Sequence, residues 1–381
     1  MAVRKCGRGT KDNAPKCGRP TFVQNTVFSG PEAKRYNSYA AHVAGYEVHS
    51  GNARSAMNDS NTDFYPVELT RSSLRPGLTY ADPHGHLLMI AHYTPDTPQT
   101  PGSLLSVDAQ PDGTITRKRF WKGNFLFDPE MKNVGAGFKA FRPIVANHQL
   151  TNDELNDKSG FVPYSDEQSV VEKEVFYDRV EAAIHPKPLD IPSAIAELTD
   201  ALHESAERRV LNVQNGDDYV RNNGVSSMIM PLGYAVFETS GPWEDFATPS
   251  RDMRMLIAID AVRDFPAQIR RNAARYGLND EAAIQKAVDE AQTAMDEVLA
   301  NYTITYTNSA GNPVTITMKT IVERADNLEM AYHPADCNEV RWGTPEDHPE
   351  YATCTRRASA SERAKMEKMR YWFHKRARPG R

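Results

Sequence analysis

The segment from residue 279 to residue 318 constrains the fold most, because its apolar pattern changes there from helical to strand-like spacing. Asn279-Asp-Glu is a helix start signal, and helically spaced apolar residues follow it: Ile284, Val288, Ala291, Met295 and Val298. Apolar residues then alternate with threonines over residues 302–306 and again over 314–318, on either side of a turn at 308–312. The sequence therefore predicts a helix followed by a β-hairpin.

Other segments show the same mixture of elements. Residues 87–93 form a compact apolar run that predicts a strand. Residues 104–107 and 114–120 flank the turn sequence Gln-Pro-Asp-Gly at 110–113, which predicts a second hairpin. A helix is predicted from Pro192 to about Val210. Because no repeating βα rhythm is present, these patterns predict an α+β fold that is mixed and loop-rich, with antiparallel hairpins and several amphipathic helices.

Length and composition suggest more than one compact region. A chain of 381 residues exceeds the usual size of one hydrophobic core, and its 25 prolines indicate much irregular chain. We predict a loop-rich, β-containing region over residues 1–150 and an α+β region with a C-terminal basic helix over residues 151–381. The polar, proline-punctuated stretch 151–190 is interpreted as a linker or an extended loop.

Charge is distributed unevenly along the chain. Residues 355–381 contain ten Lys or Arg against Glu362 and Glu367, a local balance of +8. The whole chain carries −5, so residues 1–354 carry about −13. Ser359 and Glu362 form a capping-box pattern, and Met366, Met369 and Phe373 share one helical face. The tail is therefore predicted to be a basic amphipathic helix.

That helix has two interpretations. The favoured one is that it docks on the acidic body of its own chain. In the other, Arg370, Trp372, Phe373 and Lys375 bind a membrane surface or a protein partner. The overall charge of −5 argues against a general nucleic-acid binder.

Four cysteines fall into two short-range pairs, Cys6 with Cys17 and Cys337 with Cys354. Such spacing favours two local disulfides, which form in oxidising compartments. Free core thiols are the alternative, and a zinc site is less favoured because neither pair has Cys-x2–4-Cys spacing. The sequence start lacks the apolar core of roughly 7–15 residues that a secretory signal needs. We therefore expect synthesis in the cytoplasm without a signal peptide.

A polar cluster around residue 84 is the strongest candidate for metal chemistry. Asp82, His84 and His86 are close in sequence, and His92 follows. Two histidines at i and i+2 on an extended segment point the same way and, with a third ligand, can hold a divalent metal in a hydrolase. In the other interpretation these side chains cap a turn through local hydrogen bonds. No other cofactor is predicted.

Motifs for other catalytic classes are missing from the sequence. It has no Gly-x-Ser-x-Gly elbow, no phosphate-binding Gly-x-x-x-x-Gly-Lys and no Gly-x-Gly-x-x-Gly. The sequence His-Glu-Ser-Ala-Glu at 203–207 ends in Glu, so it does not match the metalloprotease motif. The catalytic residues of an enzyme of these classes are therefore not predicted.

Four stretches carry a family resemblance. They are residues 176–189, 222–229, 250–260 with the sequence Ser-Arg-Asp-Met-Arg-Met-Leu-Ile-Ala-Ile-Asp, and 341–376 from Arg-Trp-Gly-Thr-Pro-Glu to Trp-Phe-His-Lys-Arg. Together they resemble the downstream region of lipase-type antibacterial effectors of the bacterial type VI secretion system. The serine elbow of those lipases is absent here, so the resemblance implies an accessory or divergent portion whose active residues cannot be transferred.

The resemblance also implies a location and partners. Type VI effectors enter a rival cell's periplasm by contractile injection, which would reconcile disulfide-forming cysteines with the lack of a leader. The partners implied are an immunity protein, a secretion spike or a membrane surface. The function expected is an accessory or interaction region of a secreted toxin that is used in bacterial competition and directed at membrane lipid. The alternative is the metal-dependent hydrolase built on Asp82, His84, His86 and His92.

Overall fold

The computed structural model describes residues 2–3, 21–22, 30–39, 62–81, 87–96, 102–109, 115–120, 134 and 137–379. The described residues up to Pro186 form one compact unit, and those from Lys187 onward form a second. Helices and antiparallel sheets occur together, which confirms the predicted α+β class. The regions 1–150 and 151–381 proposed from composition stay a prediction.

The first unit is built on an antiparallel sheet. Strands β1 (Ala2–Val3) and β2 (Thr21–Phe22) pair with each other, and helix α1 spans Glu32–Tyr39. The six-stranded sheet has the order β3-β8-β4-β5-β6-β7, with β3 at Phe64–Pro66, β4 at Thr79–Ala81, β5 at Leu87–Thr94, β6 at Ser103–Ala109, β7 at Ile115–Arg119 and β8 at Gly137–Phe141.

The predicted strand at 87–93 and the predicted pair at 104–107 and 114–120 are confirmed. Strands β6 and β7 pair antiparallel, with Val107 opposite Arg117 and Ala109 opposite Ile115. The turn predicted at 110–113 lies outside the described residues. The register between β5 and β6 shifts between Ile90 and His92, as at a β-bulge. A compact apolar run and a turn sequence flanked by two segments are therefore sufficient to locate these strands.

The interpretation of residues 151–190 as a linker or extended loop is wrong. After a short hairpin of β9 (Ile144–Val145) and β10 (His148–Gln149), the chain forms helices α2 (Asn152–Asp157) and α3 (Lys173–Ile184). Helix α3 buries Phe176, Val180 and Ile184, which are four residues apart. The Phe176 ring lies 5.8 Å from that of Phe138 on β8. One narrow apolar stripe thus holds an otherwise polar segment against the sheet.

The second unit is mainly helical. Its elements are α4 (Ile191–Asn223), α5 (Pro242–Phe246), α6 (Pro249–Arg271), α7 (Glu281–Asn301), β11 (Thr303–Thr307), β12 (Pro313–Thr317), α8 (Met318–Glu323), α9 (Ala325–Leu328), α10 (Asn338–Arg341) and α11 (Ala360–His374). The helix and hairpin predicted from residue 279 to residue 318 are confirmed, except that Met318 begins α8. The side chain of Thr317 caps that helix by accepting the Thr320 N–H at 3.1 Å.

Helices α4 and α6 form the centre of the second unit. Helix α4 extends beyond its predicted end at Val210 because Val213 and Val220 continue its buried face. Helix α6 buries apolar side chains along most of its length, including Met253, Leu256 and Ile259. Among the described ranges, no helix combines the length and hydropathy that a membrane crossing requires.

Candidate functional site

The predicted disulfide between Cys337 and Cys354 is present. The two Cα atoms are 5.4 Å apart, and the Cys337 side chain is buried. The bond closes a segment that we call the disulfide loop, residues 338–353. The other predicted pair, Cys6 and Cys17, lies outside the described residues. The disulfide therefore fixes both ends of a loop in the second unit.

Glu339 lies close to both cysteines. The potential ligand atoms of Cys337, Glu339 and Cys354 lie within 4.8 Å of one another. Both sulfurs belong to the disulfide, however, so neither is a thiolate able to bind a metal. The Glu339 carboxylate accepts hydrogen bonds from the N–H of Ser309 at 2.7 Å and its hydroxyl at 2.6 Å. This cluster therefore joins the disulfide loop to the β11–β12 hairpin.

The Glu350 carboxylate, which is almost buried, anchors the C-terminal half of the disulfide loop. Glu350 accepts two hydrogen bonds from Arg324, at 3.0 and 2.7 Å, and one from the Thr344 hydroxyl at 2.7 Å. Tyr306 donates a further hydrogen bond. Burial raises the pKa of Glu350, but these donors outweigh it and lower the pKa to about 2. Glu350 is therefore held as an anion in the folded protein.

A second charged group follows the disulfide. Arg357 donates to Asp336 at 3.0 Å, to Glu346 at 2.9 Å and to the hydroxyl of Tyr351 at 2.7 Å. The Asp336 carboxylate also accepts the N–H of Ala358 at 2.9 Å. These contacts determine where the chain leaves the disulfide loop and enters α11.

Helix α11 docks on its own unit, as the favoured interpretation predicts. The Phe373 side chain is fully buried and stacks on Tyr332, with ring centroids 4.5 Å apart. Arg370 donates to Glu329 at 3.2 Å, and Arg376 donates to Glu329 at 2.9 Å and Asp260 at 2.7 Å. Acidic side chains of the same chain therefore hold the basic tail.

The contacts of α11 also limit which of its residues could bind a membrane surface or a protein partner. Among the four residues predicted to bind lipid or a partner, Trp372 is half-buried and Lys375 is exposed. Arg370 is paired with an acid, and Phe373 has no exposed surface to offer. Lipid or partner binding stays a prediction for Arg370, Trp372, Phe373 and Lys375. The buried Phe373 side chain can contribute only by holding α11 in place.

One of the two hydrogen bonds that define the predicted capping box is present. Ser359 Oγ accepts the Glu362 N–H at 3.2 Å, as an N-cap should. The Glu362 carboxylate accepts the Met230 N–H at 2.7 Å and the Lys365 ammonium at 2.6 Å, and it lies 3.3 Å from His333. Burial raises the pKa of Glu362, but these partners lower it overall. Glu362 thus links α11 to a segment far away in sequence.

That segment, residues 225–234, is here called the apolar loop. It exposes Ile229 at 69% and Leu232 at 72%, together with Val225 and Tyr234. Between them, Met228 and Met230 are buried. Lys365 donates to the Met230 carbonyl at 3.1 Å, so both backbone groups of Met230 are held by α11. The apolar loop therefore presents apolar side chains on an anchored backbone.

A cleft of about 190 Å³ lies along α11 and is called the C-terminal cleft. Helix α11 contributes Arg363, Met366 and Arg370, and the disulfide loop contributes Thr344 and Tyr351. Its lining also includes Asp326, Met330 and Arg357. The cleft thus combines both signs of charge with thioether side chains.

The structure describes only one of the four predicted metal ligands. Asp82, His84 and His86 lie outside them, and His92 is an exposed residue of β5. The divalent metal site and the hydrolase based on it stay predictions.

Comparisons with known proteins gave no matching family model, curated protein or solved structure.

Sequence reasoning missed the residues that organise this region. No local motif marks these residues, so the sequence alone identifies them only as charged side chains. They are Arg324, Glu350, Asp336 and Arg357. A partial signal is present in Arg356-Arg357, which follows Cys354 after one intervening threonine. Two arginines beside a predicted disulfide could have suggested paired carboxylates nearby.

Proposed function

We propose that this chain is the accessory or interaction region of a secreted bacterial antibacterial toxin similar to type VI effectors. Its role is to bind another component, without catalysis of its own. The observation that carries this proposal is the apolar loop, which exposes four large apolar side chains within ten residues of sequence. Large exposed apolar patches are typical of protein–protein interaction sites, and we infer that these side chains form such a patch.

The anchoring of the apolar loop favours binding. Burying one large apolar side chain contributes roughly 1.5–3 kcal/mol, and ordering a mobile loop offsets part of that gain. Here Glu362 and Lys365 already hold Met230 in the free protein. The conformational cost of binding is therefore reduced, and Ile229 and Leu232 are suited to the centre of an interface.

The Cys337–Cys354 disulfide supports the proposed destination, since structural disulfides form and persist in oxidising compartments such as the periplasm. The proposed partners are an immunity protein or a secretion spike. A membrane surface is less favoured, because Phe373 is buried and the basic side chains of Arg370 and Arg376 are paired within the chain.

A bacterial competition experiment tests this function. A producing strain without this chain should kill susceptible prey less than its parent does. Replacing Ile229→Asp together with Leu232→Asp should reproduce that loss, because two charges would be buried in the proposed interface. The matched control is Leu211→Asp, which changes an exposed leucine of α4 and should leave killing unchanged.

Two results would contradict the proposal. One is unchanged killing after the chain is removed, which would exclude a toxin role. The other is unchanged killing by the double variant, provided that its circular dichroism and thermal unfolding match those of the Leu211→Asp control. That second result would exclude the apolar loop as the binding surface.

A further inference from the structure

We propose that the C-terminal cleft binds a zwitterionic peptide segment about three residues long. Its negative group would pair with Arg363, its positive group with Asp326, and its apolar middle would contact Met330 and Met366. All four residues line the cleft. This site is separate from the apolar loop, and its test does not depend on the toxin function.

Arg363 provides the cationic end of the site. It is exposed, and its Nη1 donates to the Ala358 carbonyl at 2.6 Å. Among the described residues its guanidinium has no carboxylate partner, and its Nε and Nη2 donate to no other group. A guanidinium with two free donors is well suited to a bidentate carboxylate.

The other two arginines of the cleft already have acidic partners. Arg357 pairs with Asp336 and Glu346, and Arg370 pairs with Glu329. A new anion at either position would compete with an existing ion pair. Arg363 is therefore the cation best placed to select an anionic group.

Asp326 provides the anionic end. It is exposed, and within the part of the chain that the structure describes its carboxylate has no hydrogen-bond or ion-pair partner. Its backbone carbonyl lies 3.5 Å from Arg370 Nη2, which places the residue beside Arg370. A ligand cation at this end would gain a carboxylate that no group of the described chain uses.

The spacing of Arg363 and Arg370 along α11 sets the expected ligand length, because Asp326 lies beside Arg370. Arg370 follows Arg363 by seven residues on α11, which corresponds to about 10.5 Å along the helix axis. Three residues of extended peptide span about 10 Å. The cleft volume of about 190 Å³ is below the roughly 300–1,000 Å³ of sites for drug-sized ligands, which also favours a short segment.

The middle of the cleft is apolar and adaptable. Met366 and Met330 both line the cleft, and Met366 is buried whereas Met330 is half-buried. Thioether side chains adjust to different apolar shapes, so this part of the site would accept a range of aliphatic side chains. Charge at the two ends would then determine recognition more than the identity of the central residue.

The disulfide loop forms one wall of the cleft. Val340, Thr344, Glu346 and Tyr351 lie between the two bonded cysteines and line the cleft. Reduction would release one end of that wall, and the ordering that it requires would then be added to the cost of binding. The oxidised protein should therefore bind the peptide more tightly than the reduced protein.

Calorimetric titration of the full oxidised chain tests the site. The probes are Ala-Leu-Ala with free termini, the same peptide acetylated and amidated, and acetyl-Lys-Leu-Glu-amide. Saturable binding of the first is expected, with about tenfold weaker binding after both termini are blocked. Binding of the third peptide would show that side chains can also supply the two charges.

Variants assign the binding to the cleft. Arg363→Gln and Asp326→Asn should each weaken binding of Ala-Leu-Ala by about tenfold. Both residues are exposed, so folding should be retained, and Arg208→Gln on α4 is the matched control. The proposal is overturned if none of the probes binds saturably, if blocked and free Ala-Leu-Ala bind equally, or if neither variant weakens binding.

Discussion

Two buried ion pairs of the second unit join an arginine to a carboxylate with good hydrogen-bond geometry. Arg209 donates to both oxygens of Asp252, at 2.9 and 2.7 Å, and both side chains are almost completely buried. Arg324 forms a similar pair with Glu350 of the disulfide loop. Removing one member leaves the other charged in a poorly solvated site, which costs more than the net value of the pair.

Asp252→Asn should therefore be strongly destabilising. We expect a loss of about 3–5 kcal/mol in the free energy of unfolding, because Arg209 keeps its charge and loses its counterion. Urea unfolding measures the change. The control is Asp264→Asn, since Asp264 pairs with Arg271 at the surface and should contribute less than about 1 kcal/mol. Equal effects of the two substitutions would contradict the account.

Glu350 should make stability depend on acid pH. Its folded pKa of about 2 lies below the ordinary value of 4.5, so its contribution is complete above pH 4.5 and is lost as the pH falls toward 2. The shift corresponds to roughly 3 kcal/mol. We expect Glu350→Gln to be destabilised at pH 7 and to lose less stability than the parent between pH 5 and 3. Denaturant unfolding at several pH values measures this.

Glu346→Gln is the control for that experiment, because Glu346 is exposed although it lies in the same loop. Its pH profile should follow that of the parent. If Glu350→Gln and the parent lost stability in parallel as the pH fell, Glu350 would not be the group responsible.

Elements were predictable where their pattern is local. Helix α7 and the β11–β12 hairpin follow from spacing within a few residues. Helix α3 was missed because Phe176, Val180 and Ile184 form a narrow stripe among polar residues. The C-terminal cleft and the apolar loop could not be derived, since Glu362 contacts Met230 across 132 residues of sequence. No local pattern encodes such a pair.

The hydrogen bond from the Met230 N–H to Glu362 links the apolar loop to α11, and amide exchange can test this link. In Glu362→Ala the Met230 N–H loses its acceptor, so its amide hydrogen should exchange about tenfold faster. Exchange within α11 should change less, because Ser359 remains as a cap. Glu367→Ala, on the exposed face of α11, is the control. Unchanged exchange at Met230 would show that Glu362 does not anchor the loop.

The Cys337–Cys354 disulfide determines in which cellular compartment the molecule is most stable. Closing a loop of about 15 residues contributes roughly 3 kcal/mol in the chain-entropy model, and the Cys337–Cys354 loop is of that size. The same loop carries Glu350 and forms a wall of the C-terminal cleft. The second unit should therefore be most stable in an oxidising compartment, as the proposed delivery to a periplasm requires.

The most direct measurement is differential alkylation and mass spectrometry of Cys337 and Cys354 after contact between producing and prey cells. We expect the chain in the prey periplasm with the two cysteines joined, and the chain in the producer's cytoplasm with both thiols free. A chain confined to the producer, or one recovered from the prey periplasm with both thiols free, would contradict the account.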